Sequence, residues 1–159
     1  MAKDETRIDD LSAARDEGNK IIKNHALVSL GVGLIPVPML DLVGITGVQL
    51  NMLRRLAKVY KVPFSENKVK NVLTALIGGG GSMPVASVFA SLAKSIPVVG
   101  QAIGGVSMSI SAGTVTYAVG KVFAMHFASG GTFLSFDPEK VRDYYGEMLK
   151  EGKAVMAEA

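Results

Sequence analysis

Several residue sets in this sequence have the types and spacing that chemistry uses. Residues 78–82 read GGGGS, the composition of a phosphate-cradling loop. That loop needs a lysine directly before its Ser or Thr at the start of a helix, and Gly81 stands in the lysine's place. A break between two helices is the expectation instead. His25 and His126 have no cysteine or close carboxylate at ligand spacing, so packing or interfacial roles are expected of them and no metal. Cysteine is absent, which removes thiol nucleophiles, thiolate metal sites and disulfides. The serines form neither a GxSxG elbow nor an SxxK pair. The residue types therefore predict a protein without enzymatic activity or cofactor.

Asp41 is the one formal charge in the otherwise apolar residues 26–53. A carboxylate in such a stretch is costly unless it is paired or faces protein or a watery cavity. Gln49, Asn51 and Arg54 of a neighbouring helix or chain are candidate partners, which would make Asp41, Gln49 and Asn51 an intramembrane polar set that serves assembly. The alternative is an acid in the first turn of a helix, accepting amide hydrogen bonds and favoured by the helix dipole.

Charge is very unevenly distributed. Residues 71–136 carry only Lys94 and Lys121, leaving long uncharged windows that have the length of membrane-crossing helices. Residues 54–70 hold Arg54, Arg55, Lys58, Lys61, Lys68 and Lys70 against the single acid Glu66. By the positive-inside bias this segment is expected on the cytoplasmic side of a membrane. Arg54, Arg55, Lys58 and Lys61 are the candidate contacts to anionic lipid headgroups. The basic residues are not interleaved with aromatics, so nucleic acid is not expected as a partner. No secretory leader is legible in the acidic first residues, and the mature chain is expected to equal the written one.

These groups are positioned by helices with breaks between them. Ile8, Leu11, Ile21 and Ile22 lie near helical spacing among charges, which predicts an amphipathic helix over residues 1–25. Residues 26–35 read as a buried helix half, ended by IPVP at 35–38, where two prolines remove amide donors and disfavour helical geometry. A helix resumes over 39–60, and another starts after Ser65 as N-cap, with Phe64 placed to staple against Val69. GGGGS at 78–82 and IPVVG at 96–100 are two further breaks. Gly130 and Gly131 end the next helix. Asp137 is expected to cap a final amphipathic helix with Pro138 at its first position.

Between these breaks small residues recur at every fourth position. Gly105, Ser109 and Gly113 form one such row, and Ala112, Thr116, Gly120, Ala124 and Ala128 form another. Flat stripes of this kind let helix backbones approach closely and imply a partner helix, so Gly105, Ser109, Gly113 and Gly120 are the candidate packing positions. With no Trp and few large aromatics, the core is expected to close by backbone proximity more than by ring packing.

Residues 33–67, GLIPVPMLDLVGITGVQLNMLRRLAKVYKVPFSEN, together with KSIPVVGQAIGG at 94–105 and VGKVFAMHFASGG at 119–131, resemble the YcjF-like, GTPase-associated domain of unknown function of bacterial inner-membrane proteins. The likeness covers most of residues 25–150. It implies no catalytic residues and an association with a small Era-like GTPase, which here would act in trans because the sequence has no GTPase portion.

The expectation from sequence is an all-α protein of membrane-embedded helical hairpins broken at IPVP, GGGGS and IPVVG. Residues 1–25 form an amphipathic N-terminal helix, 26–136 the membrane-embedded domain and 137–159 an amphipathic C-terminal helix. Because breaks at membrane depth must be covered by protein, a homo-oligomer is expected. The role is to scaffold or shape the bacterial inner membrane, or an intracytoplasmic membrane derived from it. A small pore lined by residues 105–120 and a soluble helical adaptor are the alternatives.

Overall fold

A helix of 31 residues, α1 (Ala2–Val32), opens the chain. It is followed by α2 (Pro38–Val59), α3 (Glu66–Gly78), α4 (Gln101–Ala128) and α5 (Arg142–Ala157). The computed structural model describes residues 1–32, 38–78 and 101–159, with side chains over 1–32, 44–77 and 109–159. Among the described residues there are five helices and no strand. The three expected break motifs fall largely outside the described residues.

Helix α4 is the axis of the bundle. It runs antiparallel to α1, with Gly120 against Ile22, Gly113 against Ala26 and Ser109 against Leu30. It is also antiparallel to α5, where Tyr117 meets Glu151 and Gly113 meets Met156. Helix α2 lies beside both α1 and α4, and its Met52 and Leu56 enter the same core as Ile22, Val119, Val122 and Phe123. Helix α3 buries Val69, Leu73 and Leu76, an i, i+4, i+7 stripe that needs one covered face.

No side chain is fully exposed from residue 109 to residue 124, which accounts for Lys121 being the one charge there. Protein covers this stretch. Helices α1, α2 and α5 surround this part of α4 and carry the polar exterior. Among the described residues no helix is long and apolar enough to cross a membrane. The expected embedding of residues 26–136 thus finds no spanning helix in α1 to α4, and residues 33–37 and 79–100 lie outside the described residues.

Three local expectations are corrected. Helix α1 continues from residue 25 to Val32 without a break, because its buried stripe of Gly18, Ile21, Ile22, Ala26 and Ser29 runs on uninterrupted. Asp137 caps a turn rather than the last helix. Its Oδ1 accepts a bond from the Glu139 amide at 3.0 Å, an Arg142–Glu139 ion pair closes the turn at 2.8 Å, and α5 begins only at Arg142. Ring packing, finally, closes one end of the core. Phe123 stacks on Phe136 at 4.4 Å, and Phe127, Phe133, Phe64 and Tyr60 complete the cluster.

Two helix ends use the same device. Gly131 N–H donates to His126 O and Gly130 N–H to Phe127 O, with Gly130 at φ 89°, a Schellman motif ending α4. Val62 N–H donates to Ala57 O and Lys61 N–H to Lys58 O at the end of α2, where the left-handed position is held by Lys61 at φ 57°.

A Cβ at Gly120 would lie 2.7 Å from Ile22 Cγ1 and 3.0 Å from Met52 Sδ, whereas Gly47 in α2 has open space around it. Gly120→Ala is expected to destabilise by about 1–2 kcal/mol, overpacking outweighing the gain in helix propensity. Gly47→Ala is expected to stabilise by about 0.5–1 kcal/mol. Thermal unfolding followed by circular dichroism checks that the two shifts have opposite sign.

Candidate functional site

The sequence of α2 separates two faces. Met52, Leu53, Leu56 and Ala57 are buried, so Asn51, Arg54, Arg55 and Lys58 are turned outward. Lys61 follows in the left-handed cap, and α3 adds exposed Lys68 and Lys70. The structure therefore gathers Arg54, Arg55, Lys58 and Lys61 at the exposed end of α2. An open groove of about 630 Å³ runs beside them, lined by Glu17, Ile21, Asn51, Arg54, Arg55, Lys58 and Val59.

Three of these cations, Arg54, Arg55 and Lys70, have partners that orient them. Arg55 Nε donates to Asn51 Oδ1 at 3.1 Å, one helical turn earlier. The Arg54 guanidinium sits 5.0 Å above the Phe64 ring and 3.8 Å from Glu66. Glu66 also pairs with Lys70 at 2.9 Å. The Lys70 hydrogen bond, then its charge, then that of Arg54 hold the Glu66 carboxyl below its ordinary value. All these pairs are exposed, so they orient side chains more than they stabilise the fold.

The expected polar set of Asp41, Gln49 and Asn51 is not brought together as one group. Gln49 is buried and its Nε2 donates to Thr116 Oγ1 at 3.3 Å, while Asn51 is exposed on the basic face. Asp41 is the fourth residue of α2, and its side chain lies outside the described residues. Gln49 belongs instead to a seam the sequence reading missed. Thr116 Oγ1 donates to Ser29 Oγ at 2.9 Å, and Ser109 Oγ donates to Leu30 O, so α1, α2 and α4 are cross-linked by hydroxyls and one amide. The signal is the hydroxyls of Ser109 and Thr116, which are donors as well as small residues.

Of the packing positions, Ser109, Gly113 and Gly120 face α1, α2 and α5 of the same chain. At Gly113 and Gly120 the stripe is filled by Ala26, Met156, Ile22 and Met52 of the same chain. Gly105 lies in α4 with its surroundings outside the described residues. His126 Nε2 donates to Thr132 O at 2.8 Å, and His25 Nδ1 bonds Ile21 O at 2.7 Å. Among the described residues no cluster of His, Asp and Glu has the form of a metal site.

The α4–α5 interface holds the most perturbed tyrosines. Tyr117 OH donates to Glu151 Oε1 at 2.6 Å, and burial followed by this carboxylate raises the Tyr117 phenol well above its ordinary value. Burial alone pushes Tyr145 up to about 12.

The chain is an all-helical bundle with a small-residue axial helix and one concentrated basic face. It belongs to the family described as "Domain of unknown function (DUF697)", whose model matches residues 3–154. It is similar to Magnetosome membrane protein 22 of Magnetospirillum gryphiswaldense, with 36% identity over 151 residues, which is 92% of this chain and 76% of that protein. No solved structure matches the chain.

Two outcomes follow from this geometry. Lys61→Gly relieves the left-handed strain and is expected to stabilise by about 1 kcal/mol, a rise of about 2–4 °C in Tm measured by calorimetry. The tyrosines set an alkaline limit. Their raised folded-state values mean that the unfolded chain loses phenol protons first, so the stabilisation is complete below about pH 10 and is lost as pH rises towards the folded value of Tyr145. Tyr145→Phe should flatten the fall in denaturant midpoint between about pH 10 and 12.

Proposed function

We propose that this protein is a non-enzymatic, membrane-associated scaffold that self-assembles on a bacterial membrane. The observation that carries the proposal is the exposed basic end of α2, where Arg54, Arg55, Lys58 and Lys61 cluster with only two acids nearby, Glu66 and Glu17. Anionic headgroups suit such a face, because each lysine or arginine near a negative surface contributes about 1 kcal/mol. The similarity to a magnetosome membrane protein supports a membrane derived from the bacterial inner membrane as the site of action. Residues 54–70 then face the cytoplasm. The YcjF-like resemblance adds a small GTPase as a partner in trans. No nucleic acid, cofactor or metal is part of this reading.

Binding through the basic face needs no helix crossing the bilayer. The long uncharged stretch, part of which is the covered axis of the bundle, leaves the depth of insertion to residues outside those described.

Flotation of the full chain with vesicles containing phosphatidylserine, against vesicles of phosphatidylcholine alone, tests the proposal. Arg54→Ala/Arg55→Ala/Lys58→Ala is expected to lower partitioning on the anionic vesicles about a hundredfold, and raised salt should have the same direction of effect. Glu66→Gln removes the one acid of residues 54–70 and should strengthen partitioning. Equal binding to both vesicle types, unaffected by the triple substitution, would overturn the lipid-facing role. Failure to float with anionic vesicles even at low salt would favour the soluble adaptor.

A further inference from the structure

Helix α1 outruns the bundle it packs on. Residues 1–13 are exposed throughout, an arm of about 18 Å at the helical rise of about 1.5 Å per residue. Ile8 is 64% exposed and Leu11 42%. These two residues continue the stripe that further along buries Gly18, Ile22, Ala26 and Ser29, but α2 has ended at Val59 and α4 at Ala128. The arm therefore presents a bundle-facing stripe with no helix of its own chain lying along it among the described residues. Beside it an open groove of about 310 Å³ reaches between Leu11 and Ala14 of the arm and Val59, Tyr60 and Phe127 at the bundle end.

We propose that the arm is a self-association element, pairing antiparallel with the arm of a second copy of this chain. The inference rests on the self-assembly reading above and specifies its interface. Asp4, Ile8, Leu11 and Arg15 follow the alternating four-and-three spacing of a helix-pairing seam. In the antiparallel register Ile8 faces the partner's Leu11, and Asp4 faces the partner's Arg15 at each end of the seam. Both charged residues are exposed, and neither belongs to an ion pair among the described residues. Glu5 then meets the partner's Ser12 and Arg7 meets the partner's Ala14, so no like charges oppose on the flanks. Asp9 points outward, and Asp10 lines the groove at the bundle end. A parallel pair would instead set Asp4 on Asp4 and Arg15 on Arg15, so charge selects the antiparallel arrangement. A two-fold axis between the arms makes the contact self-complementary and closed, with a bundle at each end. Lipid is the poorer occupant, because residues 3–17 hold six acids against three bases and an anionic surface repels that balance.

Sedimentation velocity of the full chain in mild detergent, over a range of concentrations, tests the proposal. The wild type is expected to dimerise, and Ile8→Asp to weaken dimerisation at least tenfold with helicity by circular dichroism retained. Asp4→Arg and Arg15→Asp should each weaken it about tenfold, since each change acts twice across the axis. The double swap Asp4→Arg/Arg15→Asp should return to within about threefold of wild type. The chain has no cysteine, so a mixture of Ile8→Cys and Leu11→Cys proteins should give a crossed disulfide dimer more readily than either protein alone. An oligomer indifferent to Ile8→Asp and both swaps would overturn the arm interface and leave self-assembly standing. Single swaps that weaken the dimer without rescue in the double would overturn the antiparallel register. A wild type that stays monomeric at all concentrations would overturn both readings.

Discussion

Close approach of α1 to α4 is the contact on which the rest of the fold depends. At Gly113 the missing side chain leaves room for the Ala26 carbonyl oxygen, which a Cβ would meet at 3.0 Å, and for Met156 of α5 on the other side. At Gly120 the space is taken by Ile22 and Met52. Two helices cannot lie this near with larger residues at the crossing, and a backbone oxygen has nowhere to move. The cost is a helix rich in glycine, serine and threonine, which has poor intrinsic propensity. Tertiary cover compensates, because α1, α2 and α5 enclose α4 and bury its side chains from residue 109 to residue 124. The polar seam is a consequence of the same closeness. Ser29, Gln49 and Thr116 are buried, and they are tolerated because each reaches another's polar atom across the short gap.

This arrangement explains why an uncharged pattern alone does not identify the surroundings. A helix without charge has two physical causes, lipid around it or protein around it, and hydropathy alone does not separate them. For residues 109–128 the separating signal lay elsewhere in the chain. Helices α1 and α5 have narrow apolar stripes and broad charged faces, which is what a cover for a central helix requires. The helices themselves, the small-residue contacts and the exposed basic end of α2 were legible from spacing, since each depends on residues close in sequence. The hydroxyl and amide seam was not, because its members are separated by 67 and 87 positions. The start of α5 was misjudged for a local reason. Asp137 and Pro138 satisfy the rules for a helix start, but buried Val141 and the Glu139–Arg142 pair close a separate turn before the helix begins.

The functional surfaces lie where the axial packing runs out. At one end of α2 the left-handed cap at Lys61 turns the chain back and leaves the cations of the last two turns facing outward. The same end holds the ring cluster of Phe64, Phe123, Phe127, Phe133 and Phe136, and Arg54 rests on its outermost ring. A cation fixed over a ring and spread along a rigid helix is preorganised, so it loses less side-chain entropy on meeting an anionic surface than a lysine on a loop.

Preorganisation also bears on how a scaffold of this size works. A single basic face with a few cations binds a membrane weakly and reversibly. Joining two such faces through one protein contact makes the second membrane encounter intramolecular, and the bound lifetime rises steeply without any new lipid contact. The α1 arm leaves the bundle past the ends of α2 and α4, where the basic cap of Lys61 also lies. An arm with an acid-rich exterior is repelled by the surface that attracts the basic face. In the proposed reading the two elements divide the labour by charge, one turned to headgroups and the other to protein. On that reading assembly couples to membrane binding through local concentration, and no conformational change has to carry the coupling.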